Sequence, residues 1–149
     1  ELRSKTFGFV FQQYNLVPWL TAYENVALPL VFFGKDIEHD VLVKHFEEIN
    51  LQERMTHRPF ELSGGEQPRT AILRALINDP EIIIGDEPPG NLDSATGNKI
   101  LELLIRLNKV QKKTLIIVTH DVDIAEKADQ IITVKDGRLV HDHRIYKKI

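Results

Sequence analysis

Two short apolar runs separated by one amphipathic helix most constrain how this chain can fold. Residues 82–84 are three consecutive isoleucines, and residues 114–118 form a second apolar run without polar alternation. Between these runs, residues 98–110 place isoleucine and leucine at the spacing of one helical face. Unalternated apolar runs predict strands buried on both faces, and the order strand, helix, strand predicts a right-handed crossover in a parallel sheet. The sequence therefore predicts an α/β fold.

Patterns earlier in the chain add a strand and two helices. Residues 7–11 are rich in phenylalanine and predict another buried strand. Thr21 is placed to cap a helix, with Glu24 at the capping-box position, and we expect Pro29 to limit that helix. Residues 36–50 predict a second helix. Its expected apolar face consists of Ile37, Val41, Phe46 and Ile49.

The last part of the chain predicts a β-hairpin. Residues 131–134 and 139–141 are the expected strands, and Asp136 with Gly137 forms the turn between them. A short turn is also expected at residues 51–55.

Length, charge and composition exclude several classes of protein. The chain has 149 residues, of which 42% are hydrophobic, so it is long enough for one domain with its own core. The net charge is −3 without a basic block, so we expect no nucleic-acid partner. It contains no cysteine, which excludes disulfides and thiolate zinc sites. The longest apolar run, residues 26–33, is far shorter than the roughly 20 residues of a membrane span.

Asp86 and Glu87 form an acidic pair directly after a predicted strand. Burying carboxylates there is costly unless they meet a cation or solvent at a cleft. In a nucleotide site, one carboxylate can hold Mg²⁺ through its waters and the next can orient a water against the γ-phosphate. The alternative is that the two acidic residues simply mark the start of a loop. This short motif, taken alone, favours that alternative.

Residues 62–67 combine a predicted helix start with two adjacent glycines. Ser63 can cap the helix, Glu66 occupies the capping-box position, and Gly64 and Gly65 leave backbone N–H groups open to an anion. The alternative is an ordinary capped helix. Because Pro68 cannot donate an N–H and crowds the carbonyl four residues back, we expect the regular helix to begin at Glu66 or later.

Three further polar residues follow predicted strands or turns. Gln12 ends the first strand, and Asp93 follows the turn after the acidic pair. His120 follows the last buried strand, which places its imidazole at the same predicted sheet edge as Glu87. Each residue taken singly is typical of a loop.

Taken together and in this order, these segments resemble the nucleotide-binding domain of ATP-binding cassette transporters. The corresponding motifs are the Q-loop at residues 10–16, the signature at 62–69, Walker B at 82–87, the D-loop at 91–93 and the switch histidine at 119–121.

The resemblance implies a role for each candidate residue. Glu87 is the expected general base, and His120 is expected to contact the γ-phosphate of ATP. Asp86 and Gln12 are expected to hold Mg²⁺. The other expected nucleotide-binding residues are Ser63, Gly64, Gly65, Glu66 and Asp93. The signature would serve the ATP of the opposite subunit in a head-to-tail dimer, formed with a second copy or a second ATPase subunit.

The resemblance also implies an architecture and a setting. It implies a P-loop NTPase core with a parallel sheet and a helical subdomain, divided into residues 1–20, 21–78 and 79–149. Residues 12–16, 24–30 and 90–94 are similar to the lipoprotein-releasing and macrolide-export group. Members of this group work with transmembrane permease subunits, which implies a cytoplasmic protein at the inner face of the membrane.

The expected permease contact is a groove beside the Q-loop. Tyr14, Val17, Pro18 and Trp19 are the apolar residues expected there. The alternative, for at least half of these residues, is that they pack beneath the helical subdomain.

The chain departs from the family pattern at three places. It contains no G-x-x-x-x-G-K-S/T phosphate loop, so we expect it to be the carboxyl-terminal part of an ATPase domain that begins partway through a larger protein. Alone, it is expected not to turn over ATP. Pro68 and Pro89 stand where the family has other residues. Two alternatives stay open, namely a non-transport ATPase acting on cell division or nucleic acid, and a non-catalytic association module.

Overall fold

A computed structural model of the chain describes residues 6–35, 38–90 and 92–144, without the side chain of Arg144. Its contacts divide the chain into two units, Glu1–Ile117 and Val118–Ile149. Asp36, Ile37 and Asn91, which the predicted second helix and D-loop include, lie outside the described residues.

In the described part of the chain, the central sheet contains three strands. They are β1 (Phe7–Val10), β2 (Ile82–Asp86) and β3 (Thr114–Val118), in the spatial order β1-β2-β3. β1 and β2 run parallel, with Phe7 opposite Ile82. This arrangement confirms the predicted α/β class.

The prediction that the strands are buried on both faces is wrong. Val10 and Ile83 are buried, because side chains alternate along a strand and this face packs against helices. The core on this face consists of Val10, Ile72, Ala75, Ile83, Ile100, Leu104 and Leu107. The apolar side chains that remain exposed on the strands or directly after them are Phe7, Phe9, Phe11, Ile116 and Val118. One face of the sheet is therefore apolar and open to solvent.

The first helix, α1 (Ala22–Phe32), begins as the sequence predicts. The Glu24 N–H donates to the Thr21 hydroxyl over 3.2 Å, and the Thr21 N–H donates to the Glu24 carboxylate over 2.8 Å. These two bonds form a complete capping box.

Pro29 does not limit α1 as expected, because the helix continues to Phe32. The proline removes one donor to the carbonyl of Asn25. Val26 and Leu30 are buried on either side of it. Burial of the flanking turns therefore keeps the helix regular despite the lost bond.

The second helix, α2 (His39–Glu48), is shorter than predicted. Leu42 and Phe46 are its buried residues. Val41, which was predicted to lie on the apolar face, is 45% exposed, so this part of the prediction is wrong. The true face follows Leu42, Phe46 and Ile49, three and four residues apart. Two 3₁₀ turns, Gln52–Arg54 and Pro59–Glu61, follow α2.

Helix α3 (Glu66–Leu76) begins where Pro68 predicts. Pro68 occupies the third helical position, where the backbone N–H has no partner within a helix, so the ring costs no hydrogen bond. Leu73 packs in the helical core, and Ile72 packs in the sheet core. The helical core consists of Ala22, Val26, Ala27, Leu42, Phe46, Ile49, Leu51, Leu62 and Leu73. Helix α3 is therefore the element shared by both cores.

Helix α4 (Ser94–Gln111) begins four residues before the predicted start. Asp93 caps it, with the carboxylate accepting from the N–H groups of Ala95 and Thr96 over 3.1 and 3.0 Å. The helix ends at Gln111, and the next residue, Lys112, has a left-handed backbone conformation with φ of 53°.

The second unit contains a short helix and the predicted hairpin. Helix α5 (Val122–Ala125) is followed by β4 (Gln130–Lys135) and β5 (Arg138–Arg144), which pair antiparallel. Asp136 and Gly137 both have positive φ, at 50° and 72°, as the two-residue hairpin turn requires. Among the helices of the described residues, none is long and apolar enough to cross a membrane.

Gly8 is the position on β1 where a side chain has least room. A methyl group there would collide with the carbonyl oxygen of Ala75 on α3 and lie 3.0 Å from Pro80 Cγ. We expect Gly8→Ala to lower the free energy of unfolding by about 1–3 kcal/mol, because backbone atoms must move. Gly64→Ala is the matched control, since its methyl group would meet only Leu92, at 3.9 Å. Urea unfolding measures both, and equal stabilities of the two variants would contradict the expectation.

Candidate active site

The acidic pair lies where β2 ends. Asp86 is the last residue of β2 and is exposed, and Glu87 follows it and is half-buried. Glu87 has a positive φ of 46°, a strained conformation for a residue with a side chain. Its carbonyl accepts the N–H of Gly90 over 2.8 Å, which closes a turn. The local backbone therefore fixes the direction in which the Glu87 side chain leaves the strand.

Gly90 brings Gln12 and Glu87 together. A methyl group at Gly90 would lie 3.3 Å from Cβ of Glu87 and 3.6 Å from Nε2 of Gln12. Gln12 follows β1, which runs parallel to β2, so both side chains leave the same edge of the sheet. The structure thus groups two of the predicted site residues around a glycine where a methyl group would fit only tightly.

Pro88 and Pro89 pack the turn against neighbouring glycines. Pro88 Cγ would lie 3.1 Å from a methyl group at Gly85 on β2, and Pro89 Cβ would lie 3.2 Å from one at Gly97 on α4. The turn after Glu87 is therefore held between strand and helix by the two prolines.

Asp93 acts as a helix cap in this structure. The hydroxyl and the backbone N–H of Thr96 hold the pKa of Asp93 below its ordinary value. Its role as a nucleotide-binding residue stays a prediction.

Glu66 organises the glycine-containing signature loop. One of its carboxylate oxygens accepts the backbone N–H of Ser63 over 2.7 Å, and the other accepts Nε of Arg54 over 3.0 Å. Because α3 begins at Glu66, the Ser63 side chain is not its cap. Gly65 occupies the N-cap position and makes no side-chain bond. Ser63 thus does not cap α3, as the helix start predicted from Pro68 requires, and Glu66 closes the turn instead.

A second arginine fixes the same loop from within α3. Arg69 donates from Nε to the carbonyl of Gly65 over 3.0 Å and from Nη1 to the carbonyl of Ile49 over 2.8 Å. Neither Arg54 nor Arg69 was predicted as a site residue from the sequence. Four arginines lie within twelve positions of the glycine pair, and nothing in the sequence distinguishes these two from the others.

The signature loop adjoins the start of α4. A methyl group at Gly65 would lie 3.1 Å from Cγ2 of Thr96, and one at Gly64 would lie 3.9 Å from Cδ2 of Leu92. The glycine pair and the residues around Asp93 therefore form one continuous surface of this chain.

Acidification should weaken the bond network at Glu66. The Ser63 N–H and Arg54 hold the pKa of Glu66 below its ordinary value. A carboxyl whose pKa is lower in the folded state contributes stability above its unfolded pKa, and this contribution is lost as the pH falls through its folded pKa. We expect Glu66→Gln to lower the free energy of unfolding at neutral pH and to lose this difference in acid. Urea unfolding from neutral pH down to acid pH measures this difference in the free energy of unfolding. Glu53→Gln, at an exposed glutamate, is the control. A difference that does not change with pH would contradict it.

His120 belongs to the second unit, two residues after β3. Next to it, the Asp121 N–H donates to the Thr119 hydroxyl over 3.0 Å, and the Asp121 carboxylate caps α5 through the N–H of Asp123 over 2.8 Å. His120 is exposed within this short turn. Its grouping with Glu87 stays a prediction.

The comparison with family models decides the classification. The model described as ABC transporter matches residues 1–90, which is more than half of the chain. The chain belongs to the ABC transporter family. Its α/β fold agrees with a solved structure titled as a dimeric, post-hydrolysis ATP-binding cassette, MJ0796, bound to ADP and Pi. That similarity has a TM-score of 0.84 at 42% identity and covers 99% of this chain and 66% of the other.

Two curated relatives illustrate the similarity within the ABC transporter family. The lipoprotein-releasing system ATP-binding protein LolD of Legionella pneumophila is 45% identical over 93% of this chain and 62% of its own length. The macrolide export ATP-binding/permease protein MacB of Chlorobaculum tepidum is 47% identical over 96% of this chain and 22% of its own length. The chain thus spans less than two thirds of the length of these relatives.

Proposed function

We propose that this chain is part of the ATP-hydrolysing subunit of an ABC transporter of the lipoprotein-releasing or macrolide-export type. The grouping of Gln12 and Glu87 around Gly90, at the edge where β1 and β2 end, carries this proposal. Ligands of open parallel sheets bind at this edge. The relatives named for lipoprotein release and macrolide export support the transport class.

The donors at this edge fit Mg²⁺. Asp86 offers an exposed carboxylate and Gln12 an amide oxygen, and Mg²⁺ prefers oxygen ligands while keeping several waters and substrate phosphates in its shell. The described residues contain no group of three or more acidic or histidine side chains that would form a full protein cage. Asp86 and Gln12 would therefore hold the ion together with the phosphates. The ion would neutralise charge on the phosphoryl oxygens.

Glu87 would act as the base that positions water. Its carboxylate would accept a hydrogen bond from the water that attacks the γ-phosphate in line and would take the proton that this water loses. Its left-handed backbone and the closed turn at Gly90 set the direction in which this side chain leaves the strand. His120 would donate to a γ-phosphate oxygen.

The signature would serve the nucleotide of a partner subunit. Ser63 and Gly64 are exposed, and Glu66 and Arg69 fix the loop on either side of the glycine pair. An exposed, preorganised loop at a helix N-terminus suits an anion. The dimeric state of the similar cassette structure supports a dimer in which each signature covers the ATP of the other chain.

The loop after Gln12 offers a surface for a permease. Trp19 is 72% exposed and Pro18 is exposed, whereas Tyr14 is buried and Val17 is half-buried. Asn25 holds this loop, accepting the Val17 N–H over 2.7 Å. We infer that Pro18 and Trp19 contact an apolar segment of a transmembrane subunit, at the inner face of the membrane.

The proposal is tested by calorimetry with Mg·ATP on two versions of the chain. The 149-residue chain should show no saturable binding at micromolar concentrations, because it lacks the phosphate loop that supplies most donors. A longer version that carries such a loop should bind at micromolar concentrations and hydrolyse ATP. A micromolar site in the 149-residue chain would contradict the proposed site. A longer version that neither binds nor hydrolyses ATP would support the association-module alternative.

A further inference from the structure

Arg74, near the end of α3, bonds to the turn that follows Gln12. Its Nη2 donates to the carbonyl of Tyr14 over 2.6 Å, and its Nη1 donates to the carbonyl of Asn15 over 2.7 Å. The two partners are about sixty residues away along the chain. A planar guanidinium can reach two adjacent carbonyls at once, which an ammonium group cannot do with the same geometry.

The turn that Arg74 holds is strained. Tyr14 and Asn15 have consecutive positive φ values of 59° and 44°. Left-handed backbone is unfavourable for residues with a side chain and persists only where the surroundings enforce it. The Tyr14 side chain is also buried, and its hydroxyl has no hydrogen-bond partner within the described part of the chain. The turn therefore depends on contacts from outside itself.

Arg74 lies where it can hold this turn in its strained conformation. Burial lowers the pKa of its guanidinium, although the group stays charged at any physiological pH. Its neighbours Leu73 and Ala75 pack into the helical and the sheet core respectively, so the helix around it is fixed on both sides. The same helix begins at Glu66, which holds the signature loop.

We propose that Arg74 is a positioning residue, which locks the turn at residues 12–15 so that the Gln12 amide stays beside Gly90 and Glu87. One helix then holds both the signature loop at its first turn and the Gln12 turn near its last. The functional part of this inference rests on the proposed ATP hydrolysis, whereas the locking of the turn does not.

The locking is tested by hydrogen exchange on the 149-residue chain. Arg74→Lys keeps the positive charge but cannot bond both carbonyls in the same planar geometry. We expect it to raise the exchange rate of the amides at residues 12–16 at least tenfold. Exchange in α1 and α2 should stay unchanged, and Arg106→Lys on the exposed surface of α4 is the matched control. Unchanged exchange at residues 12–16, or equal acceleration throughout the chain, would overturn the proposal.

The link to Gln12 is tested by a double-mutant cycle in a longer version with a phosphate loop. Arg74→Lys should lower kcat at least tenfold and change KM for ATP less than about threefold. In a Gln12→Ala background, Arg74→Lys should lower kcat less than twofold further, because both changes act through the same side chain. Losses that multiply, or a wild-type kcat for Arg74→Lys, would overturn the link. If the longer version does not hydrolyse ATP at all, the proposed function fails, while the exchange result still decides the locking of the turn.

Discussion

Glu87→Gln, in a version of the chain that carries a phosphate loop, should lower ATP turnover at least about 10²-fold, equivalent to about 2.7 kcal/mol of barrier. Glutamine keeps the size of the side chain and an oxygen that can accept a hydrogen bond from water, but it cannot take up the proton that the water loses. Because the substitution removes no phosphate donor, the affinity for Mg·ATP should persist. Steady-state turnover and nucleotide binding on the same sample measure the two effects separately.

The control for this variant is Glu81→Gln. Glu81 is exposed and precedes β2 rather than following it, so its carboxylate leaves the opposite end of the strand. Turnover of the control should match that of the unchanged protein. Near-normal turnover of Glu87→Gln would refute the assignment of Glu87 as the base.

In a version of the chain that carries a phosphate loop, Gly64→Asp should abolish dimer-dependent turnover while the fold is retained. Gly64 is exposed, its φ is not in the left-handed region, and a Cβ there would meet only Leu92, at 3.9 Å. The carboxylate would then lie where we place the phosphates of the partner's ATP. Like charges juxtaposed at an interface cost several kcal/mol, so we expect a loss of about 10²-fold or more.

Gly64→Ala separates the charge from the added bulk. It adds a methyl group in the same open space, so it should fold normally and keep far more turnover than Gly64→Asp. Thermal unfolding monitors the fold, and turnover at saturating ATP monitors function. Turnover equally reduced in both variants would contradict a role for phosphate repulsion.

The sequence predicted the main elements because local signals were strong. The run at residues 82–84, the capping box at Thr21 and the turn at Asp136 all lie where predicted. Pro68 also set the start of α3 correctly. The burial of the strands could not be predicted in the same way. The sequence shows that Phe9 is apolar and suited to burial. It does not show which element packs against that face of the sheet.

The site was predictable only in part. Gln12 and Glu87 leave the same sheet edge because β1 and β2 run parallel, and both lie beside Gly90. Arg54 and Arg74 were missed because their partners lie from twelve to sixty residues away. Such contacts depend on tertiary packing and leave no periodic pattern in the sequence.

The central claim is that Glu87 of one chain and the signature of the other form one ATP-hydrolysing site. It is tested with defined heterodimers of differently tagged chains, each in a longer version that carries a phosphate loop. A heterodimer of a Glu87→Gln chain with a Gly64→Asp chain keeps one complete site, because both changes fall in the same site. A heterodimer of the doubly substituted chain with an unchanged chain keeps none. We expect the first to hydrolyse ATP at about half the rate of the unchanged dimer, one site of two, and the second to be at least about 10²-fold slower than that dimer. Equal turnover in the two heterodimers, or faster turnover in the second, would contradict the account.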